Sequence, residues 1–232
     1  MVDSQRVEKL VPWRQTAVMT SQWRLVNPSA DGDPNKLELY NIKGNPGQTR
    51  DVATENPRVV ETLKAKYEAW WKDTSRRGEE SVRIVLGSER ANPVRLSSHD
   101  WHGAGAEAAW NQRQIRQGPP ANGYWAVDVA KAGEYRIELR RWPVEADMAI
   151  NTPYRDATPN REQEPGKAVS VVKARLMIGK VDRSCAVAVG DKAAEFRVRL
   201  AAGPAELQSW FYGVDGVERG AYFVYVERSR VR

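Results

Sequence analysis

The sequence predicts an α+β chain: a small antiparallel sheet packed by one helix at its C-terminal end, followed by an all-β sandwich domain. Three observations carry this. Short runs of alternating character fill the first forty residues, a single stretch of helical spacing follows Asn56-Pro57, and from Val82 onward strand-length runs alternate with glycine turns.

In chain order, Thr16 to Thr20, Trp23 to Val26 and Leu37 to Ile42 read as strands, with Ser21-Gln22 and Pro28 to Asn35 as connections. Asn56 has the chemistry of an N-cap and Pro57 that of a first helical residue. Val60, Leu63, Tyr67 and one of Trp70 and Trp71 then recur on one face, which predicts an amphipathic helix over about 57–71 covering the sheet. The polar, glycine-containing stretch Lys72 to Glu80 predicts a boundary, giving domains 1–78 and 79–232. In the second, Val82–Leu86, Val94–Ser97, Tyr124–Val129, Tyr135–Arg141, Val169–Ile178, Cys185–Val189, Glu195–Leu200, Leu207–Tyr212 and Tyr222–Val226 read as strands, with turns at Gly133, Gly179, Gly190 and Gly216. Asn151 to Gly166, rich in proline and charge, predicts a long surface loop.

At 232 residues, 41% hydrophobic and 28% charged, the chain has the balance of a globular protein with enough length for a core in each part. No apolar run reaches bilayer length, so no membrane partner is expected. The first residues, MVDSQRVEKLVPWRQ, lack the apolar core of a signal peptide, and the compartment stays open. A net charge of +6 favours anionic partners, but acids and bases are interleaved and no nucleic-acid module is recognisable, so nucleic acid is not an expected partner. The single cysteine, Cys185, excludes an internal disulfide and reads as a buried thiol.

Trp23-Arg24-Leu25-Val26, Glu38-Leu39-Tyr40-Asn41-Ile42, Asn45-Pro46-Gly47-Gln48-Thr49, Asp51-Val52-Ala53, Asn56-Pro57 and the helix to Trp70-Trp71 form an ordered series. It resembles the C-terminal subdomain of type I sulfatases, the arylsulfatase family, with Asn41 and Asn45 where that family has aspartates. Asn92 to Arg95, Ser98 to His102 and Gly123 to Val127 are similar to a β-rich extension of some bacterial sulfatases. The resemblance implies that this chain is the C-terminal portion of a sulfuric ester hydrolase, often exported in its family, whose catalytic α/β domain is missing and is its expected partner, with a sulfated glycan as substrate. Calcium and formylglycine are then expected only in that missing domain; this chain holds no cofactor, no metal and no catalytic residue, and is inactive alone. Ala91-Asn92-Pro93-Val94-Arg95 matches only the second half of the C/S-x-P-x-R motif from which formylglycine is made, and its alanine has no heteroatom to oxidise. The same reading leaves one sheet face open for the missing domain, with Val18, Met19, Trp23 and Leu25 as its residues.

The alternative is a stand-alone β-sandwich module that binds carbohydrate or another partner. Among the nine tryptophans, Trp125 and Trp142 fall within strand patterns and read as core, whereas Trp101 and Trp110 fall in loops and are the candidate glycan contacts. The only two histidines lie together in Ser98-His99-Asp100-Trp101-His102. His99, Asp100 and His102 form a candidate polar cluster with metal-ligand chemistry, weighed against a structural loop role.

Overall fold

A strand buries one face when every second side chain is apolar, and three short strands do so toward a common side. β1 (Thr16–Met19), β2 (Trp23–Asn27) and β3 (Glu38–Asn41) form an antiparallel sheet in that order. Val18 stands opposite Leu25 and Leu25 opposite Leu39. This computed structural model describes residues 11–77, 80–155 and 165–229. The chain divides into two compact units that part between Ser81 and Val82. The first ten residues, Gly78 and Glu79 of the expected boundary, and 156–164 of the expected surface loop lie outside the described residues.

Helix α1 (Pro57–Thr74) covers the first sheet, with Pro57 in its first turn. Leu63 and Tyr67 are its buried residues, and with Trp13, Leu25 and Leu39 they form the core of this unit, joined by Val60 and Trp71. The Trp13 backbone N–H donates to the Tyr67 hydroxyl at 3.2 Å, and the two rings lie 4.1 Å apart. Of the two adjacent tryptophans, Trp71 packs inward and Trp70 is 56% exposed. Asn56 does not cap with its side chain; its Nδ2 turns back and donates to the Val52 carbonyl.

The residues expected on an open face are placed otherwise. Leu25 is fully buried, Val18 and Trp23 pack on the same core, and Met19 alone of the four is exposed. The β1–β2 register decides this, since side chains alternate faces and Val18 and Leu25 share the helix side.

The second unit contains β4 (Ile84–Leu86), β5 (Val94–Ser97), α2 (Gln112–Gln117), β6 (Tyr124–Val129), β7 (Gly133–Arg140), β8 (Val171–Ile178), β9 (Val181–Ala186), β10 (Ala194–Leu200), β11 (Gly203–Gly213), β12 (Glu218–Arg219) and β13 (Phe223–Arg228). They form a four-stranded sheet, β10-β7-β13-β5, and a six-stranded sheet, β4-β6-β11-β8-β9, with β12 beside β11. Pairing is antiparallel except between β4 and β6. Tyr135, Ile137, Leu139, Phe196 and Val224 of the first sheet share one buried cluster with Trp125, Val127, Leu176, Leu207 and Phe211 of the second. Trp125 and Trp142 belong to it, as the strand patterns predict. Cys185 packs at its margin, half-buried, where desolvation pushes the thiol pKa up.

One strand lies earlier than its apolar pattern indicates. The alternation of Cys185, Val187 and Val189 predicts a strand ending at Val189, yet β9 begins at Val181 and Val189 is 83% exposed. The two-residue turn Gly179-Lys180, with Gly179 at φ +55°, fixes the β8–β9 hairpin, so Val181 pairs with Ile178 at once.

The outer face of the four-stranded sheet is an ion-pair lattice. Arg136 reaches Glu195 at 3.0 Å and Glu227 at 3.5 Å and also contacts Glu138, which accepts from Arg140 at 2.7 Å. We expect Leu63→Ala to destabilise the first unit by about 2–5 kcal/mol and Trp70→Ala to change it by no more than about 0.5 kcal/mol. Urea unfolding checks both, and equal losses would contradict the packing described.

Candidate functional site

The most exposed tryptophans of the chain are Trp70 and Trp110, each at 56%, and only Trp110 was singled out from its loop position. It lies between two short 3-10 turns and a helix, in the segment 98–119 that joins β5 to β6. Ser98, buried, begins the segment: its N–H donates to the Tyr222 carbonyl at 2.8 Å and its hydroxyl to the Ala109 carbonyl at 2.7 Å. That second bond fixes the residue immediately before Trp110. Beyond it, Asn111 and Gln114 form a capping box at the start of α2, and the Gln114 Oε1 accepts from the Trp110 N–H at 2.7 Å.

The far end of α2 is fixed by two arginines, one just past β7 and one in β12. Arg141, 1% exposed, donates from Nη2 to the carbonyls of Lys167 at 2.7 Å and Arg116 at 3.0 Å, and its guanidinium lies 4.5 Å from the Trp142 ring. Arg219 donates from Nε to the Gly118 carbonyl at 2.8 Å, and the Tyr222 hydroxyl donates to the Pro119 carbonyl at 2.8 Å. Burial lowers the Arg141 pKa to about 10, so it keeps its proton at neutral pH, and burial pushes the Tyr222 phenol up. Gly118 closes α2 at φ +61°, and a Cβ there would lie 2.8 Å from Val169 Cγ1 and 3.4 Å from Arg141 Nη2, so both backbone angle and space call for glycine.

The predicted site residues separate. Trp101 is buried, with its ring 5.6 Å from Trp125 and 5.9 Å from Tyr222, so it is a core residue rather than a glycan contact. The backbone bridge between His102 and Tyr124 draws residue 101 inward, a pairing that the loop-like composition does not show. His99 is exposed and its ring meets Trp110 at 3.8 Å. His102 lies against Tyr124 at 5.5 Å, and Asp100 accepts from the Ser97 hydroxyl at 3.1 Å. The three residues of the polar cluster thus face three different partners. Among the described residues no group of three His, Cys, Asp or Glu side chains could hold a metal ion.

Beside the Trp110 segment lies a shallow cleft of about 420 Å³, lined by Ala108, Asn111, Arg113, Gln114, Gln117 and Pro119. An exposed ring, an adjoining imidazole and amide side chains next to a cleft can offer a π face and hydrogen bonds to a polyhydroxylated ligand. Sequence reasoning missed Arg141, Arg219 and Tyr222, which hold this surface in place. No sequence signal marks them, since Arg140-Arg141 reads as two exposed charges.

No protein-family model matches the sequence, and no curated protein matches it. Solved structures similar to it include a ruminal GH26 endo-β-1,4-mannanase, at 14% identity and TM-score 0.34 over 63% of this chain and 28% of that one. Another is CBM35 from Cellvibrio japonicus Abf62, at 16% identity and TM-score 0.31 over 51% of this chain and 72% of that one. A third is the Podospora anserina GH26-CBM35 β-(1,4)-mannanase, at 12% identity and TM-score 0.34 over 61% and 28%. Such low scores carry no statement about ligand. These three chains are described as glycoside hydrolase or carbohydrate-binding module, and none of the three is described as a sulfatase. The residues that carried the resemblance have local duties: Asp51 Oδ1 accepts from the N–H groups of Leu39 and Ala53 at 2.9 Å, and the Asn41 side chain accepts from Gly44 N–H. Asn and Asp side chains that bond backbone N–H groups in this way commonly hold turns.

Arg141→Met is expected to cost about 3 kcal/mol by urea unfolding, because it leaves the part-buried carbonyls of Arg116 and Lys167 without their donor, and to speed amide exchange in 112–118. Trp101→Ala should cost about 3–5 kcal/mol and Trp110→Ala no more than about 0.5 kcal/mol; a reversed order in the same titration would contradict the placement of the two rings.

Proposed function

We propose that the second unit is a β-sandwich carbohydrate-binding module and that the surface of Trp110 and His99, with the cleft beside α2, is where it contacts a glycan. The single observation behind this reading is an indole that is 56% exposed yet held on a segment anchored at both ends. Exposing such a ring to water is unfavourable unless something covers it, and the apolar face of a pyranose is a suitable cover. The anchoring matters as much as the ring. A contact surface that is already ordered before the ligand arrives loses less entropy on binding, which is how weak individual contacts add up to useful affinity.

In this reading His99 braces the indole, and the Asn111 and Gln117 side chains, which also bond the Gln114 N–H and the Pro165 carbonyl, line the cleft with polar atoms. Arg113, on the rim of the same cleft, adds a donor of fixed geometry. The unit would carry out no chemistry of its own.

The test is affinity electrophoresis of the whole chain through gels containing neutral β-linked polysaccharides such as glucomannan and xylan. We expect retardation in at least one gel, and Trp110→Ala should weaken it about tenfold or more, since aromatic anchors dominate such interfaces. Migration unaffected by every polysaccharide, or retardation unchanged in Trp110→Ala, would overturn the reading.

A further inference from the structure

The first unit has a cleft of its own, where the chain passes from β3 to α1. Its volume is about 340 Å³, within the range of small-molecule sites, and its wall includes Trp23, Asn41, Asn45, Arg50, Glu55 and Asn56. The Trp23 indole also packs on the core of the unit, so the ring is fixed without a ligand.

Each of the three asparagines is tied to the chain by one end of its amide. Asn41 Oδ1 accepts from the Gly44 N–H at 3.3 Å, and Asn56 Nδ2 donates to the Val52 carbonyl at 3.0 Å. The Asn45 amide oxygen, in the orientation that satisfies both its ends, accepts from the N–H groups of Thr49 at 3.1 Å and Arg50 at 3.3 Å. Asn41 Nδ2 and Asn56 Oδ1 have no partner among the described residues. An amide bonded at one end presents the other in a set direction, so little entropy remains to be lost when a ligand takes it. Arg50 and Glu55 pair through one nitrogen and one oxygen at 2.6 Å, which leaves further N–H groups and a second oxygen.

This wall mixes donors and acceptors beside an aromatic ring, and its two charges cancel. An anion would meet Glu55 and a cation Arg50, so neither sign of ligand gains. A peptide strand has no free edge to join at β3, because the Leu39 N–H donates to Asp51 and the Leu39 carbonyl accepts from the Val52 N–H at 2.8 Å. A sugar hydroxyl donates and accepts at once, and the C–H face of a pyranose suits an indole. We infer that this cleft binds an uncharged sugar residue, with its apolar face on Trp23 and neighbouring hydroxyls on Asn41, Asn45, Asn56 and the Arg50–Glu55 pair. It is independent of the Trp110 surface, which belongs to the other unit.

Amide-detected NMR titration of the whole chain with methyl β-glucoside, methyl α-mannoside, glucuronate and glucosamine tests it. At least one neutral glycoside should shift the side-chain NH2 signals of Asn41 and Asn45 and the Trp23 indole N–H saturably, and the two charged sugars should bind more weakly. Asn41→Asp keeps the oxygen that holds the Gly44 N–H and replaces only the free NH2. It should weaken the neutral glycoside about three- to tenfold with the Gly44 signal in place, while Trp110→Ala changes nothing. No saturable shift with either neutral glycoside, tighter binding of a charged sugar, unchanged affinity in Asn41→Asp, or loss of these shifts in Trp110→Ala would each overturn the inference. Saturable shifts at this cleft, together with no retardation by polysaccharide gels, would support it and overturn the Trp110 reading alone.

Discussion

A guanidinium buried without a carboxylate is among the most expensive groups a protein can place in its interior, and the second unit is arranged around one. Arg141 is 1% exposed, and its hydrogen bonds run to main-chain carbonyls: those of Arg116 and Lys167, with a longer one to Ile150 at 3.5 Å. The Arg116 carbonyl is at the C-terminal end of α2, where the backbone carries partial negative charge, so the cation is placed where the helix favours it. Three chain segments far apart in sequence meet on that one side chain. With Arg219 and Tyr222 gripping residues 118 and 119, the insertion between β5 and β6 becomes an extension of the sheets rather than a loose loop.

This arrangement separates two tasks that a small β domain must reconcile. The shared core, built from Trp125, Tyr135, Leu139, Leu207, Phe211 and their neighbours, supplies the apolar burial on which stability rests. The surfaces are then free to differ. One sheet is closed off by ion pairs that satisfy each other, and on the other Trp210 and Tyr212 remain half-exposed with Arg175 and Lys173 beside them. Exposed ion pairs contribute little to stability individually, so the contrast between the faces is one of surface chemistry rather than of how strongly each is held.

Much of the fold was legible in the sequence, because strand alternation and glycine turns are local. β6 and β5 begin and end where their residues indicate, and Trp125 and Trp142 are core as their strand context requires. β9 was misplaced because an edge strand needs little apolar character, and Asp182, Arg183 and Ser184 are exposed within it. α2, only six residues long, has too few apolar positions to show a period, although the Asn111 to Gln114 spacing of its capping box was present to be read. For the candidate site, the exposed ring of Trp110 could be anticipated from its setting, while Trp101 could not be told from it, since both lie in irregular segments rich in small and polar residues. What distinguishes them is a backbone bridge to β6 and contacts with Tyr222, more than a hundred residues away in the chain. Long-range packing of that kind leaves no mark in a local window, and the same holds for Arg141.

The way Arg141 makes its bonds has a consequence for how the surface can change. It recognises carbonyl oxygens, which every residue type possesses, and makes no hydrogen bond to the side chains of Arg116, Lys167 or Ile150. Substitutions along the solvent side of α2 can therefore alter what the cleft presents without disturbing the anchor beneath it. Gly118 is the exception, fixed by its own geometry. A segment held by its main chain in this way is a mount on which different side chains can be exchanged, by natural drift or by a library randomised at 113 and 117, while the path of the chain stays the same.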